Sequence, residues 1–154
     1  MSEKTNTGSG KMSRSQLAEL LNGDLSREYQ AIIAYTVYSQ VLKGAEYMDI
    51  AAQLQIHAKQ ELEHALTISK QIDYLGEMPS VVPKPVKTSE KAKEMLKFDL
   101  DNETETIRNY RQRVRQCESL DEFAMAELIR EILVQEQDHL IDLATALGVD
   151  PPKI

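Results

Sequence analysis

The 154-residue chain predicts an all-α fold, four long helices in an antiparallel bundle with one long crossover between the second and the third. Three observations carry that reading. Apolar residues recur at spacings of three and four along nearly the whole chain, the period of a helix with one buried face. Short breaks separate these stretches except at one place, where Pro79, Pro83 and Pro85 cluster. Glutamates and histidines interrupt the apolar stripes at matching points, with two Glu-x-x-His pairs, Glu61/His64 and Glu136/His139, set 75 positions apart.

Residues 1–12 are rich in Ser, Thr, Gly and Lys without periodicity and read as a flexible tail. Lys4, Lys11 and Arg14 could touch nucleic-acid phosphates. Glu3 and a formal net charge of −7 oppose that, so no nucleic-acid partner is expected. The bundle is expected over 13–147. Its first helix starts at Ser13 or Ser15 and runs to about Leu42, with Leu21, Asp24, Glu28, Ala31, Tyr35, Tyr38 and Leu42 inward. After a break at Lys43 and Gly44, the second helix turns Ile50, Leu54, His57, Glu61, His64, Ile68 and Leu75 inward and ends at Gly76. So tight a connection makes these two helices antiparallel.

The segment from Glu77 to Thr88 holds the three prolines and cannot be helical. Extended, its dozen residues reach roughly 40 Å, about the length of a 28-residue helix. The chain can therefore return to its starting end, which sets the second and third helices parallel. The third helix begins near Ser89 and turns Leu96, Leu100, Glu103, Ile107, Tyr110, Val114 and Cys117 inward. A break at Ser119 or Leu120 precedes the fourth, with Ile129, Ile132, Glu136, His139, Leu143 and Ala146 inward, which Gly148 and Pro151 stop. Residues 148–154 form a short C-terminal tail.

Composition bounds the rest. The length suits one domain, and 42% hydrophobic with 28% charged residues describes a folded, helical chain. No apolar run approaches the roughly 20 residues that span a bilayer, and no signal peptide is evident, so no membrane association and a cytoplasmic location are expected. Cys117 stands alone and reads as a small core residue rather than a nucleophile.

One Glu-x-x-His match is weak. Two, on separate helices, with Glu28 and Glu103 each inside an apolar stripe, form an inventory of four carboxylates and two imidazoles for two metal ions. Without metal the carboxylates would repel one another, and two divalent ions cancel their charge. The mixed oxygen and nitrogen set suits iron or manganese, with zinc as a competitor. The alternative is that both histidines are satisfied core residues and the glutamates sit in buried salt bridges. Against it, no Lys or Arg falls on the inward stripes.

With these residues in view, the chain from about Gln16 to Leu147 resembles the ferritin-like superfamily and, within it, bacterioferritin. The resemblance implies a ferroxidase and iron storage or detoxification protein that oxidises Fe(II) with O2 or H2O2 at two iron ions per subunit and stores the ferric product in a homo-oligomeric shell. It implies that Glu28 and Glu103 are terminal ligands, that Glu61 and Glu136 bridge the irons, and that His64 and His139 bind one each. Tyr35, seven residues after Glu28, matches a tyrosine beside the di-iron centre, though core packing would equally account for it. Leu62 departs from the pattern: it follows the bridging Glu61 where bacterioferritins carry a haem-ligating methionine, so haem is not expected. Met48 and Met78 read as packing or loop residues. The sequence also stops shortly after the fourth helix, without the short fifth helix of 24-subunit shells, which favours 12 subunits while leaving 24 open. His57 could pack, sit behind the ligands, or line an iron path. Two further readings are a rubrerythrin-like di-iron peroxidase, disfavoured by the lack of a Cys-x-x-Cys module and by Thr106 three residues after Glu103, and a DNA-protecting miniferritin, disfavoured by a ligand set held within one bundle.

Overall fold

The computed structural model describes residues 11–154; most of the expected N-terminal tail, Lys4 included, lies outside the described residues. Four helices follow in order, α1 (Arg14–Val41), α2 (Met48–Tyr74), α3 (Ala92–Ser119) and α4 (Phe123–Leu147), and no strand occurs among the described residues. None of these helices is long and apolar enough to cross a membrane.

Ser13 starts α1 through a capping box: its Oγ accepts the Gln16 N–H at 3.1 Å while Gln16 Oε1 accepts the Ser13 N–H at 2.9 Å. The break before α2 is a single turn of 3-10 helix, Ala45–Tyr47, which the sequence reading did not anticipate. α3 begins at Ala92 rather than near Ser89, because Ser89 Oγ accepts the Lys91 N–H at 3.0 Å and holds the chain in a non-helical turn first. At the end of α4, Gly148 takes φ 68°, and the Val149 N–H reaches Ala144 O at 3.0 Å, closing the last carbonyls as a left-handed cap does.

The crossover runs beside α1 in the same direction. Asn22 holds Met78 O and the Ser80 N–H, at 3.1 and 2.7 Å. Further along, Gln30 donates to Pro85 O at 2.7 Å and the Tyr38 hydroxyl to Lys87 O. This course delivers the chain to the far end, so α3 descends antiparallel to α1 and parallel to α2. The dominant pairings are α1 with α2 and α3 with α4.

Two apolar clusters fill the interior. One, with Leu17, Leu21, Ile68, Ile72, Met125 and Ile129, closes the end near the α1 N-terminus; the other, with Leu54, Leu96, Leu100, Ile107 and Leu143, closes the opposite end. Burial on both sides fixes the helices, and a polar layer is held between the two clusters. Cys117 is fully buried, and burial lifts its thiol to about 12, so it packs as an inert core residue.

The inward stripes needed three corrections. Arg113, not Val114, takes the buried position on α3, where Val114 is only half-buried. Its guanidinium grips Asp24 in two places, Nε to Oδ2 at 2.7 Å and Nη2 to Oδ1 at 3.2 Å. A buried aspartate on α1 thus draws in the one cation the stripes were expected to lack. Ala31 and Ala146 are likewise only half-buried; Met48 and Met78, read as packing or loop residues, lie at the surface, 70% and 82% exposed.

Candidate metal centre

Each helix contributes to the polar layer by register. Glu28 on α1 and Glu103 on α3 line the same small cavity between these neighbouring helices, and the Glu-x-x-His turns of α2 and α4 close the layer from the other side. All six residues are at most 3% exposed. Two overlapping groups result: Glu28, Glu61, His64 and Glu136 offer ligand atoms within 4.8 Å of one another, and so do Glu61, Glu103, Glu136 and His139. Glu61 and Glu136 belong to both groups.

The two halves are related crosswise. His64 Nδ1 lies 2.8 Å from Glu136 Oε1, and His139 Nδ1 lies 2.9 Å from Glu61 Oε1, so each imidazole faces the glutamate of the other paired helix. The outer nitrogens are tied down in the same manner. His64 Nε2 donates to Gln135 Oε1 and His139 Nε2 to Gln60 Oε1, both at 2.6 Å. Such bonds set the ring so that Nδ1 presents its electron pair inward. Tyr35 donates its hydroxyl to Glu103, and Tyr110 donates to Glu28. Glu28 to Tyr35 and Glu103 to Tyr110 are both seven-residue steps, and Gln-Glu-x-x-His occurs at 60–64 and again at 135–139. Sequence reasoning took Tyr110 for core and passed over both glutamines, although this 75-residue repetition was present as a signal.

A metal ion fits the leftover atoms. Glu28 Oε2, Glu61 Oε1, Glu103 Oε2, both oxygens of Glu136 and His139 Nδ1 are buried without a hydrogen-bond partner. The 2.9 Å approach of His139 to Glu61 is close, but it lacks hydrogen-bond alignment. Buried acceptors left in this way cost free energy unless a cation satisfies them. No Lys or Arg pairs with the six residues among those described; their ion pairs are with one another.

Without metal, protons take the cation's place. Burial pushes Glu61 well above the usual carboxylate range, with the charges of Glu136 and Glu28 acting the same way. Glu103 rises to about 7 through burial and Glu136. Glu136 falls to about 2: burial opposes its charge, but contacts from Glu103, His139 and His64 outweigh it. His139 rises to about 10 against its burial, held by Glu103 and Glu136, and His64 is likewise raised by Glu136 and Glu28. Divalent ions entering here must displace these protons.

Around the centre lie two groups outside the ligand inventory. His57 is fully buried, stacks on His139 with ring centroids 3.9 Å apart, and contacts Asp142 Oδ2 through Nε2 at 3.1 Å. Burial and the charge of His139 lower it to about 4, so it is neutral. Asp99, one turn before Glu103, is also buried, and its Oδ2 has no partner. Leu62 is 51% exposed on the surface of α2, away from the cluster.

Comparison with known proteins agrees with this architecture. The model of the Ferritin-like domain matches residues 18–151. A bacterial ferritin from Synechocystis sp. is 28% identical over 87% of this chain and 85% of its own, and a bacterioferritin from Desulfovibrio desulfuricans is 28% identical over 82% and 72%. Among solved structures, a ferritin-like, diiron-carboxylate protein from Bacillus anthracis superposes with a TM-score of 0.84 at 30% identity, covering 88% of this chain and 99% of that one. A dodecameric thioferritin, the bacterioferritin-related protein of Bacteroides fragilis, superposes with a TM-score of 0.81 at 26% identity, covering 90% and 88%.

Proposed function

The chain belongs to the ferritin-like family, and on that membership and the paired groups of ligands we propose that it is a ferroxidase that stores or detoxifies iron. The observation that carries this reading is the sharing of Glu61 and Glu136 between two four-residue groups, a geometry suited to two adjacent divalent ions. Glu28 and His64 would complete one position, Glu103 and His139 the other. Fe(II) is the substrate, with Mn(II) or Zn(II) as substitutes.

Each Fe(II) gives up one electron. Two held side by side deliver the pair that O2 needs to leave, with two protons, as H2O2, or that H2O2 needs to leave, with two protons, as two waters. The protein's part is to bind and orient. Tyr35 and Tyr110 anchor the terminal carboxylates, Gln60 and Gln135 fix the imidazoles, and the two apolar clusters limit water at the centre. Loading displaces protons, from Glu103 for example, which burial and Glu136 raise to about 7.

A homo-oligomeric shell of 12 subunits would receive the ferric product, as the likeness to a dodecameric protein supports. Exposed apolar side chains on α1 (Ile33, Val37, Val41) and α2 (Leu62, Leu66) are surface that such an assembly would cover. The test is anaerobic Fe(II) loading followed by O2 or H2O2, with oxidation rate, particle mass and retained iron measured together. Rapid oxidation with ferric iron retained in a large particle is expected. No acceleration over buffer would end the ferroxidase reading, and turnover of peroxide with an electron-donor protein, without iron accumulation, would favour a di-iron peroxidase.

A further inference from the structure

The two metal positions differ behind their histidines. On one side, a groove of about 170 Å³ between α2 and α4 reaches His64, with Glu63, Thr67, Glu131 and Gln135 around it and Ile132 in its wall. The crosswise relation of the two halves puts His139 where His64 stands, His57 where Ile132 stands and Asp142 where Thr67 stands, each 75 residues away. There the space is filled. His57 lies flat against the His139 ring at 3.9 Å and 25°, Tyr35 meets His57 edge-on at 5.3 Å, and Asp142 holds His57 Nε2 at 3.1 Å. The nearby surface pocket that includes Asp142 is lined by neither His57 nor His139. The third approach, between α1 and α3, is a pocket of only about 10 Å³ that touches Glu28, Glu61, Glu103 and Glu136, and the Arg27 guanidinium spans it to Asn102 O and Thr106 Oγ1 at 2.8 and 3.1 Å. A space about the size of one water beside a fixed positive charge is a poor path for a divalent cation.

We propose that the two positions are kinetically unequal: metal at Glu28/His64 exchanges through the α2–α4 groove, while metal at Glu103/His139 is retained because His57, held by Asp142, immobilises the His139 ring. His57 is thus a positioning residue, acting through His139. Ligand rings clamped by a second residue release metal more slowly, since the ring must swing away before the bond is lost. The inference rests on the proposed di-metal centre and adds an order of release to it.

The test uses Co(II), loaded anaerobically at two per chain and withdrawn with EDTA while its visible absorption is followed. Two phases are expected, separated by about tenfold or more. H64A should lose the fast phase and H139A the slow one. The paired change H57I/D142T, which copies the opposite half, should bring the slow phase to within about threefold of the fast one at unchanged stoichiometry. The reverse graft, I132H/T67D, should slow the fast phase, so the inference can be judged even if one variant does not fold. A single release phase in the wild type, or slow release untouched by H57I/D142T, overturns it while leaving the di-metal reading intact. Failure to bind two Co(II) ions per chain removes that reading and this inference together.

Discussion

His139 donates from Nε2 to Gln60 Oε1 at 2.6 Å, from α4 across to α2, and so aims Nδ1 at the shared glutamates. The His64–Gln135 bond does the same in the other direction. If these glutamines set the imidazoles, Q60A and Q135A should each weaken Co(II) binding by about 10–100-fold, measured by titration calorimetry, with secondary structure unchanged. Unchanged affinity in both would mean that packing alone holds the rings.

The tyrosines form a second matched pair. Y35F and Y110F each strip a hydroxyl donor from a buried glutamate, and each should lower the stability of the metal-free protein by about 1–3 kcal/mol in urea unfolding. The two losses should be similar, because Glu103 and Glu28 stand in equivalent places.

Asp24 and Arg113 should behave as a unit. Burial lifts Asp24 to about 6 even though Arg113 opposes the rise. R113M would leave a buried carboxylate without its partner and should cost about 3–5 kcal/mol, whereas D24N/R113M should recover much of that loss. Urea denaturation of the two variants separates a paired charge from simple loss of packing.

Metal-free and metal-loaded protein should respond oppositely to pH. In the apo state Asp24 titrates at about 6 and Glu103 at about 7, while Glu61 and Asp99 are raised well above the ordinary carboxylate range. Each holds its proton in the folded state at pH values where the unfolded chain has released it. Their stabilising contribution is therefore complete at low pH and is lost as pH climbs through the folded values. His139, raised to about 10, acts in the same direction above its unfolded value. The low value of Glu136, about 2, works the other way only below about pH 4.5, and His57, lowered to about 4, works the other way up to its unfolded value near 6.5, one group against the several raised ones. The melting temperature of EDTA-treated protein should thus fall between about pH 5 and 8, while that of Co(II)-saturated protein should rise, since loading displaces protons.

Much of this architecture was legible in the residues. Helix register alone puts Glu28, Glu61, His64, Glu103, Glu136 and His139 on inward faces, and the structure gathers all six. The three prolines forced the crossover that makes α2 and α3 parallel. What escaped depends on side-chain reach rather than on period. Gln60 and Gln135 are ordinary partly exposed helix residues until the opposite histidine comes within 2.6 Å. Tyr110 fits an apolar stripe whether or not its hydroxyl has a task. Arg113 sits beside the expected Val114, and only the carboxylate of Asp24 on another helix explains why the arginine turns inward. Periodicity puts the start of the third helix near Ser89, but the Ser89 hydroxyl closes a turn ahead of the helix.

The sharing of Glu61 and Glu136 is best tested by counting ions. Anaerobic Co(II) titration of the wild type, E28A, E103A and E61A, with bound metal per chain as the readout, should give two ions for the wild type, one for each terminal-ligand variant and none retained by E61A at the same free Co(II). Two ions still bound by E61A, or a loss in E61A no greater than in E28A, would contradict a centre built on shared carboxylates.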